Sequence, residues 1–314
     1  MRLIRWPGEE PASGERSVVT LGVFDGVHRG HAEVIRRVVT AARERSCRAV
    51  IVTFDRHPAA VLSGEPLPVI TSLEHRVRLF AALGTDLCVV VRFCEDVARI
   101  EAAEFARRVF HELLHAELVV LGYDCRFGRN GQGDLSLSAR LGRELGFEVE
   151  GVPAVVVDGR PVSSTDVRQA ILSGDLERAQ RLLGRPFSLY GTVVRGDARG
   201  AALGYPTANL DLHNEAVPPD GVYAAWAFTD GEPLLGVVSI GRRATFHREA
   251  ASARVVEVHL VDRREDLYGR DIEVQFAGWL RDQETFDSTE YLKAQIERDV
   301  RAARRMLRGR APRR

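Results

Sequence analysis

The stretch Ser17-Val18-Val19-Thr20-Leu21-Gly22-Val23-Phe24-Asp25-Gly26-Val27-His28-Arg29-Gly30-His31 runs from a short apolar segment, through a glycine-bearing turn, into Ala32–Ser46, where apolar residues recur at helical spacing. A buried strand feeding an amphipathic helix is the opening unit of a parallel sheet. The pattern repeats outward from there. RAVIVTF (48–54), DLCVVVRF (86–93) and AELVVLGY (116–123) read as strands, and HRVRLFAAL (75–83) and AEFARRVFHELLH (103–115) as the helices between them. Strands that are nearly continuous Val, Ile and Leu are those covered on both faces. The fold class expected is α/β, with an N-terminal doubly wound parallel sheet.

From Asp175 the segment DLERAQRLL reads as a last helix, stopped by Gly184-Arg185-Pro186, since Gly suits a helix C-cap and Pro cannot continue the ladder. The expected boundary therefore lies at Gly184, giving domains 1–184 and 185–314. Beyond it come short alternating segments, SLYGTVV, GVYAAWAF, PLLGVVSI, ARVVEVHLV and DIEVQFAGWL, separated by Gly, Pro and Asp turns. They predict an antiparallel β-barrel or sandwich. A closing helix is expected from an Asp287-x-x-Glu290 capping box, with Leu292, Ile296, Val300 and Leu307 on one face, packed outside the barrel.

Composition narrows the function classes. The 314 residues carry 44 basic and 44 acidic side chains, so the formal charge of zero argues against a general nucleic-acid binder. No apolar run approaches the ~20 residues that span a bilayer. The start MRLIRWPGEE meets Pro7 and Glu9 before a leader's apolar region could form. A cytoplasmic protein without membrane or nucleic-acid partners is expected. Cys47, Cys88, Cys94 and Cys125 form no CxxC pair and read as reduced thiols. Lys293 is the sole lysine, so a Walker-type phosphate-binding lysine is absent and any phosphate chemistry rests on Arg, His, backbone amides or a metal.

Two constellations suit that chemistry. In the first, Gly22, Phe24, Asp25, His28, Gly30 and His31 lie between a strand and its helix, the usual anion site of an open α/β sheet. Pro161-Val162-Ser163-Ser164-Thr165-Asp166-Val167-Arg168 leads into a second helix, whose hydroxyls and amides can hold phosphate while Arg168 neutralises charge. Asp55 and His57, in Thr53–Pro58, and Asp124, Arg126 and Phe127, in Gly122–Gly128, follow apolar strands on the same carboxyl edge. Either they are turns or they wall a second substrate. In the second constellation, Arg195-Gly196-Asp197-Ala198-Arg199-Gly200 precedes Gly204-Tyr205-Pro206-Thr207-Ala208-Asn209. A glycine loop can cover phosphates, and a hydroxyl and an amide two apart on an extended segment can offer neutral oxygens to Mg²⁺. Glu257, beside His259 on the face opposite Val256, Val258 and Leu260, is either a solvated charge or a general base.

The pieces GVFDGVHRGH, TFDRHP, RFGRNGQGD, VSSTDVR, LLGRPFSLYGTVVRGDARG, LGYPTANL, GVYAAW, VVEVHLVD and DLYG stand in family order across almost the whole chain, which resembles the bacterial bifunctional riboflavin kinase/FMN adenylyltransferases, also called FAD synthetases. The His-x-Gly-His and serine/threonine loops resemble those of the wider nucleotidyltransferase superfamily. The resemblance implies a barrel that phosphorylates riboflavin to FMN with Mg²⁺ and ATP, and an N-terminal domain that adenylylates FMN to FAD with loss of pyrophosphate. It implies Thr207 and Asn209 as ligands of Mg²⁺ and phosphate, Glu257 as kinase base, and Gly196 and Gly204 at the kinase nucleotide. His28, His31, Ser163, Ser164, Thr165 and Arg168 would hold ATP phosphates in the other site, with Asp55, His57, Asp124, Arg126 and Phe127 toward the flavin. Its partners would be the small molecules riboflavin, FMN and ATP; self-association is left open. Three departures stand out: Ser239 replaces the family's Asn, Ala244 replaces its Pro, and Cys125 replaces a frequent aromatic. The alternative reading is an FMN adenylyltransferase whose barrel has lost kinase chemistry.

Overall fold

The computed structural model describes all residues except 12–13, 197–203, 214–215, 230–231, 243–253, 264–265, 310–311 and 313–314. Chain contacts group the described residues into two compact units, Met1–Val69 with Leu73–Ser164, and Ile70–Ser72 with Thr165–Arg314.

The first unit is built on β1 (Arg2–Trp6), β2 (Ser17–Leu21), β3 (Arg48–Phe54), β4 (Leu87–Val91), β5 (Ala116–Gly122) and β6 (Glu148–Val152). They form a parallel sheet in the order β1-β4-β3-β2-β5-β6. The helices are α1 (Arg29–Glu44), α2 (Pro58–Ser63), α3 (Leu73–Ala82), α4 (Glu95–Ala98), α5 (Ala102–Phe105), which runs on as a π-helical segment (Ala106–Leu113), and α6 (Leu135–Leu145). Alternation along the strands sends residues to two cores. Val19, Leu21, Val50, Val52, Val89 and Val91 pack with Phe105, Val109, Phe110 and Leu141 on one face. Val18, Ile51, Val90, Leu118 and Val120 pack with Ile35, Val38, Val39 and Phe80 on the other. The sheet is doubly wound, as its Val-rich strands predict. At one edge, Glu148 and Glu150 of β6 reach bidentate pairs with Arg45 and Arg37 of the α1 region.

The second unit carries α7 (Ser164–Leu172), α8 (Leu176–Leu183) and, after the short hairpin β7 (Val156–Val157) and β8 (Arg160–Pro161) of the first unit, the strands β9 (Ser188–Val194), β10 (Thr207–Leu212), β11 (Gly221–Phe228), β12 (Leu234–Arg242), β13 (Arg254–Leu260) and β14 (Asp271–Arg281). These close as an antiparallel barrel in the order β10-β13-β12-β11-β14-β9. Asp175 caps α8 by accepting from Arg178 N at 2.9 Å, and Gly184 ends it in the left-handed region at φ 77°. Both features follow from the sequence.

The closing helix α9 (Thr289–Leu307) lies outside the barrel, where Val300, Ala303 and Leu307 meet Val222, Ala224 and Val237. Its N-cap is Ser288, whose Oγ accepts from Tyr291 N at 3.3 Å. The cap is therefore Ser288 and not the expected Asp287, which puts Tyr291 in place of Glu290 at the third helical position, so the expected box does not form. Asp299 on α9 is buried. It accepts from Arg281 Nε at 3.0 Å, from Arg281 Nη2 at 2.8 Å and from Gln295 at 2.8 Å. Removing one member of such a pair strands the other charge away from water. Asp299→Ala is expected to lower the unfolding free energy of the barrel by about 3 kcal/mol, read from denaturant titration of barrel tryptophan fluorescence; an unchanged midpoint would show that the pair contributes nothing.

Candidate active sites

In the sheet, β2 has β3 on one side and β5 on the other. Chain direction across the sheet reverses at β2, and a crevice opens beyond the carboxyl ends of strands at such a switch point. The turn after β2 fills that position. It is tight: Phe24 and Val27 have φ of 55° and 41°, with Gly26 at 81° between them. A β-branched residue in the left-handed region is a true outlier, and such strain persists where the surroundings impose a functional geometry.

His28 is the N-cap of α1, and its Nδ1 accepts from His31 N at 3.3 Å. The two imidazoles stack with centroids 3.5 Å apart and planes 18° apart. Gly30 makes this possible, because a Cβ there would sit 3.2 Å from the His28 ring. Phe24 is buried. Its ring stands edge-on to His31 at 5.2 Å and to Phe80 at 5.7 Å, so it orients His31 from the core side. Gly22 leaves room for that ring, since a Cβ would fall 2.9 Å from it. Ser164, the first residue of α7, donates its hydroxyl to the Asp25 carbonyl at 2.9 Å. Ser163 precedes it; Thr165 and Arg168 follow on the same helix, Arg168 being buried.

The sequence reading did not single out Arg76. This α3 side chain is buried and donates to the Val23 carbonyl, to Thr53 Oγ1 at 3.1 Å and to the Phe54 carbonyl at 3.1 Å. It ties the turn after β2 to the end of β3. Burial pushes its guanidinium below the ordinary arginine range, opposed most strongly by the Asp25 carboxylate. The helical spacing of HRVRLF could not say which arginine points inward.

The other expected residues stand apart in role. Asp55 Oδ1 accepts from Phe93 N and Arg56 N, both at 2.8 Å, and His57 caps α2 by accepting from Ala59 N at 3.2 Å. Asp124 and Arg126 are exposed, Arg126 pairing with Asp134 at 3.0 Å. Phe127 turns inward, against Phe105 and Phe110 at 5.8 and 5.6 Å. Burial pushes the Cys125 thiol up to about 12.

In the barrel, β10 and β13 pair so that Thr207 lies opposite His259 and Asn209 opposite Glu257, while Ser239 of β12 flanks Glu257 on its other side. Residues two apart share a face. Thr207, Asn209, Glu257 and His259 thus form a two-by-two array on the outer surface, with Ala208, Leu210, Val256 and Val258 turned the other way. Gly196 lies against the Asn209 amide; a Cβ there would come 2.1 Å from Nδ2. Asn209 is buried, and its Oδ1 has no hydrogen-bond partner among the described residues. A cavity of about 450 Å³ shares Thr207 with the array and is otherwise lined by Gly204, Pro206, Tyr268 and residues of the opposite face, Ala208, Val258 and Leu260, among others. Ser239 Oγ accepts from Gln283 Nε2 at 2.9 Å, which also binds the Ile240 carbonyl, so the departure at this position is satisfied locally. Asp197–Gly200 and Ala244 lie outside the described residues.

Residues 10–166 match the family model for FAD synthetase and residues 183–307 that for riboflavin kinase. The bifunctional riboflavin kinase/FMN adenylyltransferase of Escherichia coli K12 is 37% identical over 93% of both chains. The chain belongs to the bifunctional riboflavin kinase/FMN adenylyltransferase family. The Bacillus subtilis member is 35% identical over 92% of both chains. A crystal structure described as a macrolide-efflux protein from Streptococcus pneumoniae has the same fold, with a TM-score of 0.81 and 32% identity over 97% of this chain and 99% of that one. Among the described residues no helix is long and apolar enough to cross a membrane. The His28–His31 turn falls in the FAD synthetase segment, and Thr207, Asn209 and Glu257 in the riboflavin kinase segment.

Arg76→Met would leave the Val23 carbonyl held by the Thr53 hydroxyl alone, at 3.1 Å, and would release the Phe54 carbonyl at the end of β3. Displacement of a catalytic loop by about 1 Å costs up to ~10²-fold in rate. The expected result is a loss of that order in FAD formation from FMN, with FMN formation from riboflavin within about twofold of native. Equal loss of both would reduce Arg76 to a folding residue.

Proposed function

We propose that the chain makes FMN from riboflavin and ATP on its barrel, and FAD from FMN and a second ATP at the β2–α1 turn. The observation that carries the kinase half is the register of β10 against β13, which puts a carboxylate beside an amide whose oxygen is buried without a described partner.

In the kinase step Glu257 takes the proton of the ribityl 5′-hydroxyl as its oxygen attacks the γ-phosphorus, and the bond to the ADP oxygen breaks. Glu257 stands on the strand next to Asn209, so base and phosphate ligands are fixed by one ladder of backbone hydrogen bonds. Thr207 Oγ1 and Asn209 Oδ1 are neutral oxygens suited to Mg²⁺, and the Gly196 backbone can close over them because no Cβ intervenes. Mg²⁺ bound there would supply positive charge to the β- and γ-phosphates. Gly204 and the adjoining cavity offer room for the nucleotide.

In the second step an FMN phosphate oxygen attacks the α-phosphorus of ATP and pyrophosphate leaves. No covalent intermediate is required, only in-line placement and donors directed at the charge that develops. His28 accepts at Nδ1, so its Nε2 carries the proton and is the donor presented to phosphate. His31, stacked on it, Ser163 and Ser164 complete the anion-binding set of the first unit, with Gly22, Phe24, Asp25 and Gly30 shaping the turn. Asp124 and Arg126 are assigned to the flavin side, where they are exposed. Asp55, His57 and Phe127 support that wall through the contacts described above. Riboflavin, FMN and ATP as partners agree with the cytoplasmic location expected from the sequence.

Glu257→Gln is expected to lower FMN formation from riboflavin by about 10²-fold or more while leaving conversion of supplied FMN to FAD intact. Flavin chromatography after incubation with ATP and Mg²⁺ reads both steps, and parallel loss would defeat the assignment. Replacing His28 and His31 together by Ala should reverse the pattern, with FMN accumulating from riboflavin and little FAD formed.

A further inference from the structure

The array on the outer face of the barrel contains one polar side chain that the proposed chemistry leaves without a task. His259 lies two residues beyond Glu257, on the same face, and opposite Thr207. Its Nδ1 is 2.9 Å from the Pro206 carbonyl oxygen. A carbonyl can only accept, so Nδ1 carries a proton. His28, by contrast, accepts at its Nδ1. The ring has a second neighbour: Tyr205 meets it edge-on at 5.4 Å and 74°, and the Tyr205 hydroxyl donates to Glu297 Oε1 of α9 at 3.1 Å. Burial pushes that phenol's pKa up, with the Glu297 carboxylate acting in the same direction.

We propose that His259 is a positioning residue of the kinase site: its Nδ1–H holds the Pro206 carbonyl, and through that peptide fixes where Thr207 presents its hydroxyl. The inference rests on the reading of Thr207 as a ligand of phosphate-bound Mg²⁺. The segment before Thr207 needs such a hold. Gly204 is exposed with a φ of 86°, and Pro206 has no backbone N–H with which to join a ladder. Its carbonyl is the one backbone group of that residue available to anchor it, and His259 takes it. The contact works on the Thr207 side of the array as the β10–β13 register works on the Asn209 side.

The two ring nitrogens can be separated by substitution. Asparagine places an amide N–H near the position of Nδ1, whereas glutamine places one near Nε2. His259→Ala and His259→Gln are expected to raise the Mg²⁺ concentration for half-maximal riboflavin phosphorylation by about 10–100-fold, the range for residues that orient a metal ligand. His259→Asn should stay within about threefold of native. Conversion of FMN to FAD by the same preparations should be unchanged, which certifies the folded chain. Independently of activity, long-range ¹⁵N–¹H correlation on histidine-labelled protein, with His259 assigned by its loss in the Asn variant, should show the Nδ1–H tautomer. An Nε2–H tautomer, an unaltered Mg²⁺ requirement in His259→Ala, or rescue by Gln and not by Asn would overturn the proposal, the last outcome making Nε2 a group that touches substrate. Thr207→Ala is run beside them. If it leaves the Mg²⁺ requirement unmoved, the reading of Thr207 itself fails and the His259 proposal falls with it; if it raises that requirement while His259→Ala does not, only the His259 proposal fails.

Discussion

A strand covered on both faces has no side chain to offer to a ligand except at its ends. That constraint organises the first unit. With Val18, Val19, Ile51, Val52, Val89 and Val90 committed to two cores, polar chemistry is confined to the carboxyl edge of the sheet, and the switch at β2 decides where on that edge it collects. The turn there is short enough that Phe24 and Val27 take conformations that L-residues avoid. Their strain is offset by burial of both side chains and by Arg76, which holds the Val23 carbonyl from beneath.

The barrel meets the same need differently. A strand in a small closed barrel gives one side to the interior and keeps the other. The array of Thr207, Asn209, Glu257 and His259 uses the outer side, and ladder register rather than loop conformation sets the spacing of its members. The closing helix contributes to this face: its inner surface anchors on Val222 and Val237, and Glu297 reaches the hydroxyl of Tyr205. Arg281 and Asp299 fix the helix on the barrel by charge as well as by packing.

Much of this is readable from residue order. Buried strands announce themselves by their Val and Ile content, α8 by Asp175 and Gly184, and the polar outer face of β13 by the alternation of Val256, Glu257, Val258 and His259. What cannot be read depends on partners distant in the chain. The strand RLIRW gains its place only by pairing with β4, some 85 residues on. Arg76 is indistinguishable from Arg78 until the sheet defines an inside. Gln283 satisfies Ser239 across a gap of 44 residues that no local pattern encodes. Ser288 and Asp287 are both sound caps, and the choice between them follows from where the helix must start to meet the barrel.

The two sheets also differ in what they expose to other chains in a crowded cell. The described barrel strands close on themselves, so no row of unpaired amides and carbonyls is left to recruit a stray strand. The parallel sheet ends in β1 and β6. In β6 the sequence Glu-Val-Glu-Gly-Val would be an adhesive edge were its alternate positions apolar. Glu148 and Glu150, each held by an arginine from the α1 region, place charge where an incoming strand would have to dock. The same ion pairs that look like ornament on the surface thus keep charge along an edge whose backbone groups would otherwise be open to strand addition.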